Sequence, residues 1–320
     1  MSYIQGPFKF SNDPPKHLMG WDEQTAAAEN KKAAMPFHSH PLEHVPIQPG
    51  RRPIWSIVKQ YNFQHHLPTF EQQVGDCVGA GAKQMGDYLT YVQIGRSMKS
   101  QYFRPWHASW IYGMSRVHYD LQSIGSDGST GRAAALVIKN AGVYFTDWQG
   151  AEPYSGALSR KWGDEPGPPD LTRALARPHT AVMVEQITTV EQLRAALLSD
   201  KMVTIASMRG FDMRPINKQG FHVFKPSGSW AHQMCIIDWM DEPFPAAYRL
   251  NSWGPDAHGT PLNDEPPGGA WNLADDLRPE LQNSSTECFA FSLFHAWPTE
   301  PNWRIIPDPD DPSPPLPYTG

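Results

Sequence analysis

Three residues with catalytic potential, a cysteine, a histidine and an asparagine, are widely spaced along this 320-residue chain. Cys77 follows Gly75 and Asp76 and opens a stretch of small residues that predicts a helix over 75–92. A helix N-terminus favours the thiolate, which is the nucleophilic form of cysteine, and Asp76 is a suitable N-cap. Considered alone, however, a single cysteine is more often a small buried apolar residue.

The histidine and the asparagine flank two predicted strands. His232 begins an apolar run that continues to Trp239, and Asn251 ends the run 247–251 just before Ser-Trp-Gly. Alone, such a histidine is usually structural, and Asn-Ser-Trp-Gly is usually a turn. A thiol and an imidazole together form the pair used in nucleophilic catalysis, in which the imidazole moves the proton and a third group orients it.

The elements that must position these side chains change in type along the chain. Helices are predicted over 75–92, 108–118 and 131–140, and Gly142 is a suitable helix stop. After a Pro/Gly/Asp-rich stretch at 163–170, Thr189 and Gln192 form a capping box for a further short helix. Strands are then predicted over 202–207, 221–224, 232–239, 247–251 and 288–294.

This order predicts an α+β protein with two lobes. We divide it into a Pro-rich N-terminal extension over 1–68, a helical lobe over 69–165, a β-rich lobe over 166–297 and a Pro/Asp-rich tail over 298–320. The two Pro-rich ends are candidates for docking to a larger assembly.

Composition limits the partners and the compartment. The net charge is −6, and this mild acidity gives no reason to expect nucleic acid or an anionic membrane as partner. No run of about 18 apolar residues and no signal peptide is recognisable. Because the chain has only three cysteines, Cys77, Cys235 and Cys288, we expect a reducing compartment, either the cytoplasm or a virion assembled in it.

With these segments in place, the sequence resembles the papain-like cysteine peptidases. The approach Gln72-Gln-Val-Gly-Asp-Cys77 is similar to the family's nucleophile segment, and Asn251-Ser-Trp-Gly254 is the most specific match. His232 lies 155 residues after Cys77 and Asn251 a further 19 on, slightly above the family's usual separation of roughly 130–150 residues. The resemblance covers about 70–295 and implies a helical lobe with the cysteine and an antiparallel, barrel-like lobe with the other two.

The resemblance implies a role for each residue. Cys77 would attack a peptide carbonyl, His232 would protonate the leaving amine, and Asn251 would orient the imidazole. Trp253 would shield the hydrogen bond between them, and Gly128 would lie at the edge of the groove that binds a peptide or protein substrate. Neither a metal nor a cofactor is required.

The sequence also departs from the family pattern. The oxyanion glutamine usually lies six residues before the cysteine, where this chain has Glu71, so we prefer Gln72 over Gln73 for that role. The disulfide cysteines near the nucleophile are missing, and no inhibitory helical propeptide is recognisable in 1–68. These departures favour a divergent microbial or phage-borne branch that is made without zymogen control.

Three other interpretations compete with an active peptidase. A catalytically silent papain-like protein could bind peptides or build a larger assembly such as a virion. A cell-wall amidase or a transglutaminase-like transferase also uses cysteine and histidine, but its third group is usually histidine or aspartate. A metal site at His38, His40 and His44 is less favoured than mobile surface histidines among prolines, and the same holds for His65 and His66.

Overall fold

A computed structural model describes residues 15–30, 51–97, 103–120 and 126–294 of the chain. The Pro/Asp-rich tail, the histidines at 38, 40 and 44, and much of the N-terminal extension lie outside these ranges. None of the helices within them combines the length and the apolar character needed to span a membrane.

Nine α-helices are described. They are α1 (Glu23–Asn30), α2 (Ile54–Tyr61), α3 (Cys77–Ser97), α4 (Ala108–Met114), α5 (Gly131–Leu136), α6 (Gly156–Gly163), α7 (Asp170–Ala176), α8 (Val190–Leu198) and α9 (Ala274–Leu281). Helices α4 and α5 each continue in a π-helical turn, Ser115–Asp120 and Val137–Ala141. The predicted stop at Gly142 is present, because this residue has a positive φ of 85° that favours glycine.

Eight described strands form one sheet. They are β1 (Ala181–Gln186), β2 (Met202–Phe211), β3 (Ile216–Lys218), β4 (Phe221–Val223), β5 (Pro226–Met240), β6 (Ala246–Leu250), β7 (Gly269–Leu273) and β8 (Glu287–Phe294). Their order is β1-β8-β2-β5-β6-β7-β4-β3. Among these pairs only β4–β7 is parallel, so the expected antiparallel lobe is correct except at one pair. The protein is therefore α+β, with most helices before the sheet.

The central helix α3 packs unusually closely on its neighbours because it is rich in small residues. A Cβ added at Gly79 would lie 2.4 Å from the carbonyl oxygen of Ala108, and one at Gly86 would lie 2.2 Å from the Trp106 ring. Gly81 meets the backbone of Gln233 on β5, at 3.2 Å from its ideal Cβ. Through these contacts the helix that begins with Cys77 is fixed against the strand that carries His232.

Helix α2 lies within residues 1–68, which the sequence assigned to an N-terminal extension. In the structure it packs as part of the folded domain. Its Ile54 and Trp55 side chains are buried, and the buried Asp238 of β5 accepts the Ile54 backbone N–H at 2.9 Å. Arg51 pairs with the same carboxylate at 2.6 Å. The sequence did not predict this helix because Pro53 and several other prolines precede it. Its N-terminus is capped by Asp238 of a distant strand and not by a neighbouring side chain.

The capping box of α8 was predicted from sequence. The hydroxyl of Thr189 accepts the Gln192 backbone N–H at 3.1 Å, as expected for an N-cap. The Gln192 side chain reaches back one residue further than a standard box and accepts the N–H of Thr188 at 2.9 Å. The helix Val190–Leu198 therefore begins and ends where its sequence indicates.

Candidate active site

Cys77 is the first residue of α3, and its side chain is completely buried. The Asp76 backbone carbonyl accepts the N–H groups of Gly79 and Ala80, whereas its carboxylate accepts hydrogen bonds from Ser159 and Tyr154. The Asp76 side chain is therefore not the N-cap that the sequence predicted. Its short hydroxyl bond to Ser159, at 2.6 Å, ties the start of α3 to α6 instead.

Residues 16–22 of the N-terminal extension lie across the cysteine. The backbone N–H groups of Gly20, and of Gln233 on β5, lie close enough to the Cys77 sulfur to lower the pKa of its thiol. A Cβ added at Gly20 would lie 1.6 Å from the carbonyl oxygen of Gly75, so the segment passes too close to the Gly75–Cys77 turn for any side chain. No inhibitory helical propeptide was recognisable in 1–68, yet this part of the N-terminal extension lies against the turn that precedes Cys77.

The covering segment is held by backbone pairing with the groove edge. Ser129 donates its N–H to the Gly20 carbonyl at 2.8 Å and accepts the Asp22 N–H at 3.0 Å, which places Trp21 parallel to it. Gly128, the predicted edge residue, has a positive φ of 124° and donates its own N–H to the Tyr112 hydroxyl. The covering segment therefore pairs with the backbone of Ser129, the residue after the predicted edge residue.

Gln72 and Gln73 point to different parts of the molecule. Gln72 is 2% exposed, and its Nε2 donates to the carbonyl oxygens of Leu18, at 2.7 Å, and Val74, at 2.9 Å. Its Oε1 accepts the Ser252 hydroxyl, which fixes the amide orientation. Gln73 is exposed and accepts the Gly156 backbone N–H. Only Gln72 lies beside the segment that covers Cys77.

His232 and Asn251 are in contact. The imidazole Nε2 lies 2.8 Å from the Asn251 Oδ1, and both side chains are buried. An amide oxygen only accepts, so Nε2 carries the proton and Nδ1 of the neutral ring is left with a lone pair. Nδ1 has no hydrogen-bond partner among the described residues. His232 is adjacent to Gln233, whose side-chain Nε2 donates to the Val78 carbonyl at 3.0 Å, so β5 carries the imidazole next to the start of α3.

A second histidine, which the sequence did not single out, fixes the other end of Asn251. The Asn251 Nδ2 lies 3.0 Å from His258 Nε2, and His258 Nδ1 lies 2.9 Å from the carbonyl oxygen of Met213. Nδ1 must donate to that carbonyl, so Nε2 accepts from the amide. This chain of hydrogen bonds holds the amide with its oxygen towards His232. His258 follows Asn251 by seven residues, and that proximity was the only sequence signal.

Trp253 covers the imidazole. Its ring lies 4.6 Å from that of His232, centroid to centroid, and 4.9 Å from Trp230, which stacks on it at an angle of 23°. Trp253 is 2% exposed. The hydrogen bond between His232 and Asn251 is therefore enclosed by aromatic rings, as the position of Trp253 in the motif predicts.

Burial sets the protonation of the site. It raises the pKa of the Cys77 thiol to about 12, which the nearby Asp76 carboxylate also favours, while the N–H groups of Gln233 and Gly20 oppose this rise. Burial lowers the pKa of His232 to about 4, against the hydrogen bond to Asn251, and it lowers that of His258 to about 4 as well. The thiol is therefore protonated and the imidazole neutral, contrary to the thiolate predicted at this helix start.

The comparisons with known proteins are structural. No family model and no curated protein sequence matches this chain. Xylellain, a cysteine protease from Xylella fastidiosa, aligns over 88% of this chain and 98% of its own, with a TM-score of 0.51 and 13% identity. The proform of Amb a 11, a cysteine protease and ragweed pollen allergen, aligns over 90% and 77% respectively, with a TM-score of 0.55 and 13% identity.

A third similar structure is procathepsin B S9 from Trypanosoma congolense. It aligns over 87% of this chain and 86% of its own, with a TM-score of 0.53 and 10% identity. At these identities the likeness concerns the fold, so the chain has the papain-like fold that its motifs predicted.

Proposed function

We propose that this chain, which has the papain-like fold, is a cysteine peptidase that residues 16–22 hold in a closed form. The observation that carries this proposal is the arrangement at β5. Among the described residues His232 Nδ1 has no hydrogen-bond partner and Nε2 is held by Asn251, while the backbone N–H of the next residue, Gln233, lies close enough to the Cys77 sulfur to lower the pKa of the thiol. A protein that used this fold only as a scaffold would not require these groups to converge.

In the open form the reaction follows from these positions. The Cys77 proton passes to His232 Nδ1, and the sulfur forms a bond to the peptide carbonyl carbon. The imidazolium then gives that proton to the amine nitrogen as the C–N bond breaks, which leaves an acyl group on sulfur. Water attacks the thioester with His232 as base, so the acid product leaves and the thiol is restored.

Gln72 supplies the hydrogen bond for the oxyanion in this mechanism. Its Nε2 donates at present to the Leu18 carbonyl at 2.7 Å, which a substrate carbonyl would replace. The amide cannot turn away because Ser252 holds its oxygen. A donor fixed in advance stabilises the developing charge without reorganisation.

The covering segment inhibits the site in two ways. Its Gly20 backbone N–H lies beside the Cys77 sulfur, in the place that the carbonyl carbon of a substrate would have to reach. It also excludes water, and burial then places the pKa of Cys77 near 12 and that of His232 near 4. Removing the segment exposes both groups to water, which lowers the pKa of Cys77 and raises that of His232. Proton transfer from the sulfur to the imidazole nitrogen then becomes more favourable.

The structural comparisons support this closed form. Two of the similar structures, those of Amb a 11 and cathepsin B, are described as proforms. A separate candidate function is a catalytically silent peptide-binding protein, which the complete burial of Cys77 favours. The two candidates differ in what happens once the segment is displaced.

The experiment uses the full chain with Gly20→Ala, because the added methyl group would overlap the Gly75 carbonyl and expel the segment without altering a proposed catalytic residue. We expect Cys77 to be alkylated at least ~10-fold faster than in the unaltered chain, and a fluorogenic peptide mixture to be hydrolysed. Adding Cys77→Ala must remove that hydrolysis. Leu171→Ala is the control, because this side chain on α7 is 71% exposed. Faster alkylation with no hydrolysis between pH 5 and 9 would contradict the peptidase and leave the binding protein.

A further inference from the structure

The loop from Gln72 to Asp76 carries the proposed oxyanion donor at one end and joins Cys77 at the other. All three cysteines of the chain are free, so no disulfide fixes this loop. The separation between the Gln72 amide and the Cys77 sulfur therefore depends on hydrogen bonds and packing.

The first end of the loop is held from the imidazole side of the site. Gln72 donates its backbone N–H to the Ser252 carbonyl at 2.9 Å, and its side-chain oxygen accepts the Ser252 hydroxyl. Ser252 follows Asn251 directly, so these bonds place Gln72 relative to the amide that holds His232. They do not place it relative to the helix that begins with Cys77.

The hydroxyl of Tyr154 supplies that second connection. It accepts the Gln73 backbone N–H at 2.9 Å and donates to Asp76 Oδ2 at 3.0 Å. A phenol has one O–H and a carboxylate only accepts, so the direction of both bonds is fixed. Gln73 is the neighbour of the oxyanion donor. Asp76 is the neighbour of Cys77, so a single oxygen atom connects the two ends of the loop.

The carboxylate that anchors this hydroxyl is itself fixed. Asp76 is completely buried, and it also accepts the Ser159 hydroxyl of α6 at 2.6 Å. The Ser159 oxygen lies 2.8 Å from the hydroxyl oxygen of Ser109 on α4. Helices α4 and α6 therefore hold the carboxylate, and the carboxylate holds the Tyr154 hydroxyl.

Packing keeps the ring of Tyr154 in place. It meets the Phe70 ring edge-on, at 4.6 Å between centroids. Two residues later, Gly156 donates its N–H to Gln73 Oε1 at 2.9 Å, and a Cβ added at Gly156 would lie 2.6 Å from Val74 Cγ1. The segment that carries Tyr154 therefore lies directly against the loop.

We propose, on the basis of the peptidase function above, that Tyr154 is a positioning residue whose hydroxyl sets the Gln72 amide relative to the Cys77 sulfur. As the sulfur attacks a carbonyl carbon, negative charge develops on the carbonyl oxygen, which Gln72 Nε2 must meet at hydrogen-bond distance. A small displacement of the amide weakens this bond in the transition state more than it weakens substrate binding. Tyr154 is not a donor to that oxygen and acts through Gln73 and Gln72.

Tyr154→Phe in the full Gly20→Ala chain removes the hydroxyl and keeps the ring. We expect kcat to fall about 10-fold with KM within about twofold, because the lost bond acts in the transition state. Tyr91→Phe is the matched control and should leave kcat within about twofold. Its hydroxyl donates to Asn62 Oδ1 at 3.1 Å, roughly 20 Å along α3 from the first residue of that helix. Kinetics are measured at pH 8, because burial raises the pKa of Asp76 to about 7 and the clamp requires the carboxylate.

The effect must pass through Gln72. In the open chain that also carries Gln72→Ala, Tyr154→Phe should change kcat by less than about twofold, because no amide remains to be positioned. Ser159→Ala, which removes the other hydroxyl donor of Asp76, is a second variant and should show the same dependence on Gln72. Equal losses of kcat with and without Gln72 would overturn the positioning role, since a general loosening of the fold does not depend on that amide.

Affinity for a peptide aldehyde separates the role of Tyr154 from the peptidase function, because it needs no cleavage. The Cys77 sulfur bonds to the aldehyde carbon and the thiol proton ends on the aldehyde oxygen, which gives a thiohemiacetal beside Gln72. Titration calorimetry of the open chain with an N-acetyl dipeptide aldehyde should give a Kd about 10-fold higher for Tyr154→Phe than for Tyr91→Phe, and only with Gln72 present.

The two measurements have distinct outcomes. Aldehyde binding that depends on Tyr154 through Gln72, without peptide hydrolysis, rejects the peptidase and leaves the positioning role. Hydrolysis with equal kcat in the Tyr154→Phe and Tyr91→Phe chains overturns the positioning role and leaves the peptidase. Neither binding nor hydrolysis rejects both.

Discussion

The two halves of the candidate site are in different states. On the imidazole side, His232, Asn251 and His258 form a continuous hydrogen-bond chain that ends on the Met213 carbonyl, with distances of 2.8, 3.0 and 2.9 Å. On the thiol side, burial raises the pKa of Cys77 to about 12, and the chain's own N-terminal segment lies against the turn before it. In the proposed peptidase the imidazole half is assembled and the thiol half is covered.

The difference lies in how each half is built. The imidazole side belongs to β5 and to the loop after β6, where the side chains of His232, Asn251 and His258 are buried and joined by hydrogen bonds. The covering segment is a short stretch fixed mainly by backbone contacts at Gly20 and Asp22 and by the Trp21 indole. In the function proposed above, activation would remove only these contacts of residues 16–22. The hydrogen bonds that join His232, Asn251 and His258 would stay in place.

The largest effect is expected on the assembled half. In the open Gly20→Ala chain, His232→Ala should lower kcat/KM by about 10³-fold or more, because neither proton transfer to the base nor donation to the amine remains. His65→Ala, which alters an exposed histidine, is the control and should leave kcat/KM within about twofold of the open chain. Peptide hydrolysis measured at several pH values checks both. Retained activity in the His232→Ala chain would show that the imidazole half is not the catalytic one.

The two glutamines test the thiol half. We expect Gln72→Ala to reduce kcat in the open chain by about 10²-fold, as for the loss of one oxyanion donor. Gln73→Ala is its matched control, because that side chain accepts only from Gly156 and lies at the surface. Steady-state kinetics on one fluorogenic peptide decides between them. A larger loss for Gln73→Ala would mean that the oxyanion lies elsewhere.

Sequence reasoning selected Cys77, His232 and Asn251 because each lies at or near the end of an element with a clear local pattern. The apolar run after His232 and the Asn-Ser-Trp-Gly sequence mark strand edges, and small residues mark the start of α3. The papain-like fold then followed from the order of these segments. Local pattern also indicated α8, since its cap, Thr189, is a neighbour in sequence.

What sequence reasoning missed depends on contacts between distant residues. The docking of residues 16–22 requires Gly20 to lie against Gly75 and Trp21 to reach Glu287, which is 266 residues away. The protonation states were missed for the same reason, because a helix N-terminus favours a thiolate only while burial does not outweigh it. His258 carried no motif, and its role appears only when Met213 and Asn251 are brought to its two nitrogens.

His258 offers a sharper test of the assembled half, because it contacts Asn251 and not the reacting atoms. His258→Phe should lower kcat by roughly 5- to 150-fold with KM nearly unchanged, since a buried amide donor loses its partner at about 1–3 kcal/mol. The phenyl ring suits a site bordered by Phe211 and Phe224, at 5.7 and 4.8 Å between ring centroids.

His258→Gln retains an acceptor oxygen and should recover most of the lost kcat. Parallel kinetics of the two variants in the Gly20→Ala chain give the answer. Equal losses in both would mean that His258 acts through packing alone, and the hydrogen-bond chain would then not extend beyond Asn251.

The smallest expected effect is on stability in acid. As pH falls, the buried histidines of one half and Asp76 of the other change the free energy of unfolding in opposite directions. Burial lowers the pKa of His232 and His258 to about 4, so both stay neutral in the folded chain while the unfolded chain binds protons below pH 6.5. Their contribution to the free energy of unfolding is full above pH 6.5 and is lost as pH falls towards 4. Burial raises the pKa of Asp76 to about 7, so this carboxyl binds its proton more tightly when folded and adds stability as pH falls through the same window.

Each of the two histidines lowers the free energy of unfolding as pH falls through this window, and His258→Phe measures the share of one of them. Removing that proton site should flatten the loss of unfolding free energy between pH 6.5 and 4.5 by up to about 1.4 kcal/mol per pH unit. His65→Ala, at an exposed position, serves as the control and should leave the slope unchanged. Urea unfolding at each half pH unit gives these slopes. An unchanged slope for His258→Phe would mean that His258 is already protonated in the folded chain, and its Nε2 could then not accept from Asn251.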